Sequence, residues 1–173
     1  MAELSPRAGQ IVAAARELVE AGGADALTMR ALAARLGIRA PSLYKHFPDK
    51  SAVEAELIAI ALAELATALE RAEHDGGGLA ALGRAYRAYA LGHPHLYRLM
   101  SAGPLPRDLL PAGVEERAAL PLVRIVRGEA AARAVWGLAH GLVMLELDGR
   151  FPPGADIEAA WTAGMSAFTT AAR

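Results

Sequence analysis

The residues best equipped for chemistry lie close together near the start of the chain, in LGIRAPSLYKHFPDK at positions 36–50. Arg39, Lys45 and Lys50 supply cationic donors there, Ser42 and Tyr44 supply hydroxyls, and His46 an imidazole. That set hydrogen-bonds and neutralises an anionic partner; it holds no thiol and no carboxylate pair for making or breaking bonds. Two prolines and a glycine punctuate the stretch, so it cannot be an ordinary amphipathic helix.

A second group lies in the back half. Trp136, His140 and Met144 recur at i, i+4 and i+8 and share one helical face. Tyr86, Tyr89, Tyr97 and Met100 come from helices expected to face it. Apolar walls with a few polar tips are the usual form of a small-molecule site, here one for a small apolar or aromatic effector. His93, His95 and His140 lack the tight ligand spacing of a metal site, so no metal and no cofactor is expected. The GGG at 76–78 lacks the Lys-Ser/Thr that completes a phosphate loop, and neither HExxH nor GxSxG occurs. The absence of cysteine excludes disulfides, thiolate catalysis and Cys-ligated zinc. Enzymatic activity has no positive support, and His140 is the one residue on which a helical enzyme could be built.

These groups must be positioned by helices. Long Ala/Leu/Arg/Glu stretches favour helix over strand, and no strand candidate emerges. Ser5 can cap a first helix with Pro6 at its first position, and Gly22-Gly23 stops it. Thr28 caps a short second helix ended by Gly37. A third runs from about 40 to 46, and Asp49 caps a long helix over 50–73. Two short helices joined by a tight glycine turn describe a helix-turn-helix. Leu32, Leu36, Ile38, Leu43 and Phe47 would form its small core, leaving Ser42, Tyr44, Lys45 and His46 outside. Beyond the HDGGG joint at 74–78, helices are expected near 79–92, 94–100, 114–127, 129–147 and 156–171, the last capped by Asp156. The apolar run at 134–145 is too short to cross a bilayer, and the N-terminus shows no signal peptide, so a cytoplasmic protein is expected. Residues 1–50 carry seven Lys/Arg against five Asp/Glu, and the remainder eleven against fourteen, a faintly basic front on a faintly acidic back.

Over 10–57 the chain resembles the DNA-binding headpiece of the TetR/AcrR regulators, through Gly22, Thr28, Leu32-Ala33, Leu36-Gly37, Leu43-Tyr44, His46-Phe47 and Lys50 in order. Arg39 departs from the Ser or Thr that many members place at the cap of the recognition helix. WGLAHGLVMLEL at 136–147 and HPHLYRLM at 93–100 are similar to a Trp-His-Gly C-terminal domain found in one TetR subfamily. The resemblance implies an all-α protein with a helix-turn-helix domain over 1–50 and a helical ligand-binding and dimerisation domain over 51–173. It also implies Thr28 and Tyr44 as phosphate contacts beside Lys50, whose ammonium lies near the N–H groups at its helix start. Arg30, Arg39, Ala40, Pro41, Ser42 and Lys45 are the residues expected to read base edges, with His46 beside them.

A homodimer is expected through the last two helices, with Val135, Leu138, Leu142 and Leu145 on one and Ile157, Trp161, Met165 and Phe168 on the other. Such a dimer would bind palindromic double-stranded operator DNA as a repressor and release it when a small molecule binds. The alternative is a DNA-binding regulator whose body only dimerises.

Overall fold

The structure is a computed structural model and describes residues 4–170. It contains helices α1 (Pro6–Gly22), α2 (Met29–Arg35), α3 (Ala40–Leu43), α4 (Lys50–His74), α5 (Gly78–Gly92), α6 (Pro94–Ser101), α7 (Val114–Val126), α8 (Glu129–Leu147) and α9 (Ile157–Thr170), with no strand among the described residues. The sequence signals for caps act as expected. Ser5 accepts from the Ala8 N–H at 3.3 Å, Thr28 from Ala31 at 3.0 Å, Asp49 from Ala52 at 2.9 Å and Asp156 from Ala159 at 2.9 Å. The expected position 171 of the last helix lies outside the described residues.

Contacts gather the chain into two compact units, one running up to Leu62 together with His93–Val114, the other comprising Ala63–Gly92 and Glu115 onward. This grouping differs from the division at residue 50 expected from sequence. In the first unit α6 packs on α1 and on the 3-10 turn Ala24–Ala26, burying Leu96, Tyr97 and Leu99. His93 Nδ1 lies 3.2 Å from Glu20 Oε1, which also accepts from Arg16 Nε at 2.9 Å. Partial burial pushes the Glu20 carboxyl up, but the hydrogen bonds and charges of Arg16 and His93 outweigh it and hold the group below the usual range. The first half of α4 adds Val53, Ala55, Leu57, Ile58, Ala59 and Ala61 to the same core.

In the second unit α5, α8 and α9 pack on one another. The glycines that allow close approach are Gly83 and Gly164. A Cβ at the first would lie 3.0 Å from Met165 Cγ, and one at the second 2.9 Å from Leu138 Cδ2. Gly137 and Gly141 on α8 instead have open space where a Cβ would stand. Arg87 ties the three helices together: Nε and Nη2 donate to Glu146 at 2.9 and 2.8 Å, and Nη1 to Glu158 at 2.6 Å. Its guanidinium lies 5.9 Å from the Trp161 ring centroid. Glu70 and Glu73 of α4 accept from Arg117 and Arg124 of α7.

Of the expected partner-facing stripes Leu145 is exposed and Leu138, Leu142, Ile157 and Phe168 are half-buried, but three positions are corrected. Val135, Trp161 and Met165 are buried within the unit, because Met165 fills the space beside Gly83 and Leu138 the space beside Gly164. Among apolar and small residues α8 leaves Ala130, Ala134, Trp136, Gly137 and Leu145 outside beside Glu129 and Arg133, and α9 leaves Ala159, Ala163 and Ala167 outside beside Glu158, Thr162, Ser166 and Thr169. By length and composition alone α8 reaches the threshold of a membrane-crossing helix, but a single such helix does not displace the expectation that this segment spans no bilayer. Its 19 residues include an 18-residue stretch of mean hydropathy 1.2. It nevertheless carries Glu129, Arg133 and Glu146.

Candidate nucleic-acid interface

Helix α2 ends in a Schellman arrangement. Leu36 is the C-cap, Gly37 adopts φ +63°, and the N–H groups of Gly37 and Ile38 reach back to the carbonyls of Ala34 and Ala33 at 3.1 and 3.0 Å. An L-residue at Gly37 would be strained in that conformation. The turn hands the chain to α3, which starts at Ala40 with Pro41 in its first turn. Arg39 is its N-cap and makes no side-chain capping bond, since a guanidinium has no acceptor to offer the helix N–H groups.

The α-helical part of α3 stops at Leu43, shorter than the 40–46 expected. The His46 N–H bonds to the Leu43 carbonyl at 2.9 Å, an i→i−3 bond that tightens the last turn ahead of Pro48. So few backbone bonds cannot fix a helix by themselves. Side chains do it: Leu43 and Leu32 are fully enclosed and Phe47 is buried, while Leu36 and Ile38 are half-buried beside them. Pro41, Tyr44, Lys45 and His46 are exposed, Tyr44 at 52%, and Ala40 and Ser42 are half-exposed.

The charges of this unit are unevenly used. Arg16 pairs with Glu20, Arg35 clamps Glu17 of α1, and Arg7 donates to Gln10. Arg30, Arg39 and Lys45 hold no partner among the described residues. Keeping these exposed cations free costs nothing in water and leaves them ready for an anionic surface. Thr28 uses its oxygen as a cap acceptor, and its own O–H remains available to donate. Lys50 is held in place: Nζ donates to the Ala24 carbonyl at 3.0 Å and lies 3.1 Å from Glu54 Oε1. Two of its three N–H donors are thus engaged, an arrangement that sequence could not show because Ala24 lies in a turn 26 positions away.

The second group of candidates divides between the units. Tyr97 is enclosed and Met100 half-buried in the first; Tyr86, Tyr89, Trp136, His140 and Met144 belong to the second. Tyr89 donates to Glu64 at 3.3 Å. Trp136 is 55% exposed, its ring centroid 6.5 Å from that of His140. Burial lowers the His140 pKa from its ordinary value, so the imidazole resists protonation. No group of three or more His, Cys, Asp or Glu suited to a metal occurs among the described residues.

Comparison with known proteins matches both parts. Residues 11–57 fit the family of bacterial regulatory proteins described as tetR, and residues 79–168 fit the tetracyclin repressor-like C-terminal domain. The uncharacterized HTH-type transcriptional regulator Rv0681 of Mycobacterium tuberculosis is 32% identical over 152 residues, 80% of this chain and 69% of that protein. A protein of unknown function from Rhodococcus sp. RHA1 superposes with a TM-score of 0.77 at 26% identity, covering 96% of this chain and 95% of that one. A TetR variant from Acinetobacter baumannii AYE, crystallised with minocycline, gives 0.69 at 26% identity, covering 98% and 96%. With both parts matched in order and a recognition helix displayed on its own small core, the chain belongs to the TetR family of helix-turn-helix, DNA-binding transcriptional regulators.

Proposed function

We propose that the protein is a homodimeric repressor that releases operator DNA when a small apolar or aromatic molecule binds its helical body. The observation that carries this reading is that Arg30, Arg39 and Lys45 are exposed and hold no partner among the described residues, while α3 is anchored through the buried Leu43 and Phe47. Phosphate contacts from Thr28, Tyr44 and Lys50 would set register, and Arg39, Lys45 and their neighbours would meet base edges in the major groove. One such short helix reads few bases, so two subunits related by a two-fold axis present a pair to successive grooves of a palindromic site. The exposed Ala130, Ala134, Trp136, Gly137 and Leu145 of α8, with the small residues Ala159, Ala163 and Ala167 of α9, supply the surface for that pairing. The relative crystallised with minocycline supports a small-molecule effector. Ligand acts by population shift, favouring a conformer whose headpieces no longer match the grooves, through about 1–3 kcal/mol of coupling. Helix α4, continuous from Lys50 to His74, is the proposed lever.

The direct test is sequencing of genomic fragments captured by the purified protein, followed by a screen for compounds that release them. An enriched palindrome is expected; fragments without a common motif would refute sequence-specific regulation. Lys50→Ala is expected to weaken binding to all sequences alike and to lower the log–log salt slope by about one unit. An unchanged slope in fluorescence-anisotropy titrations would leave Lys50 as a brace on Ala24 alone. Arg39→Ala and Lys45→Ala are expected instead to change the preferred base at one position each, at about 1–3 kcal/mol. Identical motifs for both variants in a randomised-site selection would remove them from the readout. The exposure of Trp136 favours a second reading in which the body dimerises and takes no ligand; a thermal-shift screen without a single hit would select it.

A further inference from the structure

In the second unit a half-open cavity of about 30 Å³ lies between α5 and α9, lined by Gly83, Arg84, Arg87, Glu158, Trp161 and Thr162 among others. Trp161 is 4% exposed, and its Nε1–H has no acceptor among the described residues. A donor left unmet at that depth costs about 1–3 kcal/mol, so an acceptor belongs beside it. Three features decide which. Size admits one or two water molecules, since each needs roughly 10–15 Å³ of such space. Charge gives an anion no advantage: Arg87 already answers both Glu146 and Glu158, and Arg84 on the exposed rim only brings the cluster to neutrality. Chemistry calls for a group that accepts from the indole and donates in turn, because Glu158 in the same wall is an acceptor and the Thr162 hydroxyl, which holds no partner among the described residues, can be one too.

We propose that this cavity is a hydration site, in which a resident water accepts from Trp161 Nε1–H and donates to the Glu158 carboxylate one turn earlier on α9. The two tryptophans make it testable in the full-length protein. With ¹⁵N-tryptophan labelling the indole resonances of Trp136 and Trp161 are separated by the Trp136→Phe variant. Cross-relaxation of the Trp161 indole proton with water is expected, with the sign of a water resident for longer than about a nanosecond, and it is expected to persist in Thr162→Val. Density for a water within about 3.2 Å of Nε1 in a high-resolution crystal structure is the second expected result. A Trp161 indole without any water signal, a signal abolished by Thr162→Val through loss of hydroxyl relay, or a protein acceptor on Nε1 in the crystal would each overturn the proposal.

Discussion

Leu43→Ala is expected to abolish useful operator binding while leaving the helical body folded. Leu43 is fully enclosed, and truncation of such a leucine costs about 2.7–5 kcal/mol. The loss falls on the element least able to absorb it. Helix α3 is four residues long, and the bonds from the Ser42, His46 and Phe47 N–H groups return only to Arg39 and Leu43. Its position therefore rests on the Leu43 and Phe47 side chains, and removing one shows up as local opening rather than as a uniform fall in stability. Because two copies of the element engage the operator in the proposed dimer, anisotropy titrations should show an affinity lowered by roughly a hundredfold or more. Helical circular dichroism should change little at 25 °C. A dissociation constant within threefold of the parent protein would mean that α3 is held by something other than its buried leucine.

How far the sequence led depended on whether each determinant was local. The caps Ser5, Thr28, Asp49 and Asp156 and the left-handed Gly37 act within three or four positions, and each could be read where it stands. The length of α3 could not, because Pro48 acts at a distance of several residues and the final turn could close as 3-10 instead of α. Nor could the membership of α6 in the first unit, since His93 and Glu20 meet across 73 positions. The faces of α8 and α9 show the limit most clearly. Both helices are apolar or small nearly all round, so periodicity alone gave no rule for which side turns inward. The choice is made by Gly83 and Gly164, whose missing side chains admit Met165 and Leu138. Trp136 consequently stands outside, whereas its sequence neighbours had placed it among pocket residues. Among the candidate site residues, legibility followed the same line: exposure on α3 could be read from its flanking breakers, but the docking of Lys50 on Ala24 depends on tertiary approach.

Gly137→Glu separates the pairing of subunits from the fold of each one. Within a single chain a Cβ at Gly137 meets nothing within 4 Å, and the residue is exposed on α8. Replacing a mid-helix glycine there should favour the helix by about 0.5–1 kcal/mol. Against a partner, the same change is severe. A two-fold axis brings the surface onto its own copy, so each glutamate would be driven into a strip of Ala130, Ala134, Gly141 and Trp136, where a carboxylate loses water at a cost of several kcal/mol. Light scattering should then report a mass near 18.1 kDa in place of twice that value. Operator affinity should fall by roughly 10²–10⁴, the advantage that tethering two reading heads confers. Binding to a single half-site at low salt should survive, because α3 and its free cations are untouched. A variant that remains a dimer with full operator affinity would show that the exposed face of α8 is not where two chains meet, and the apolar outer surface of that helix would need another occupant.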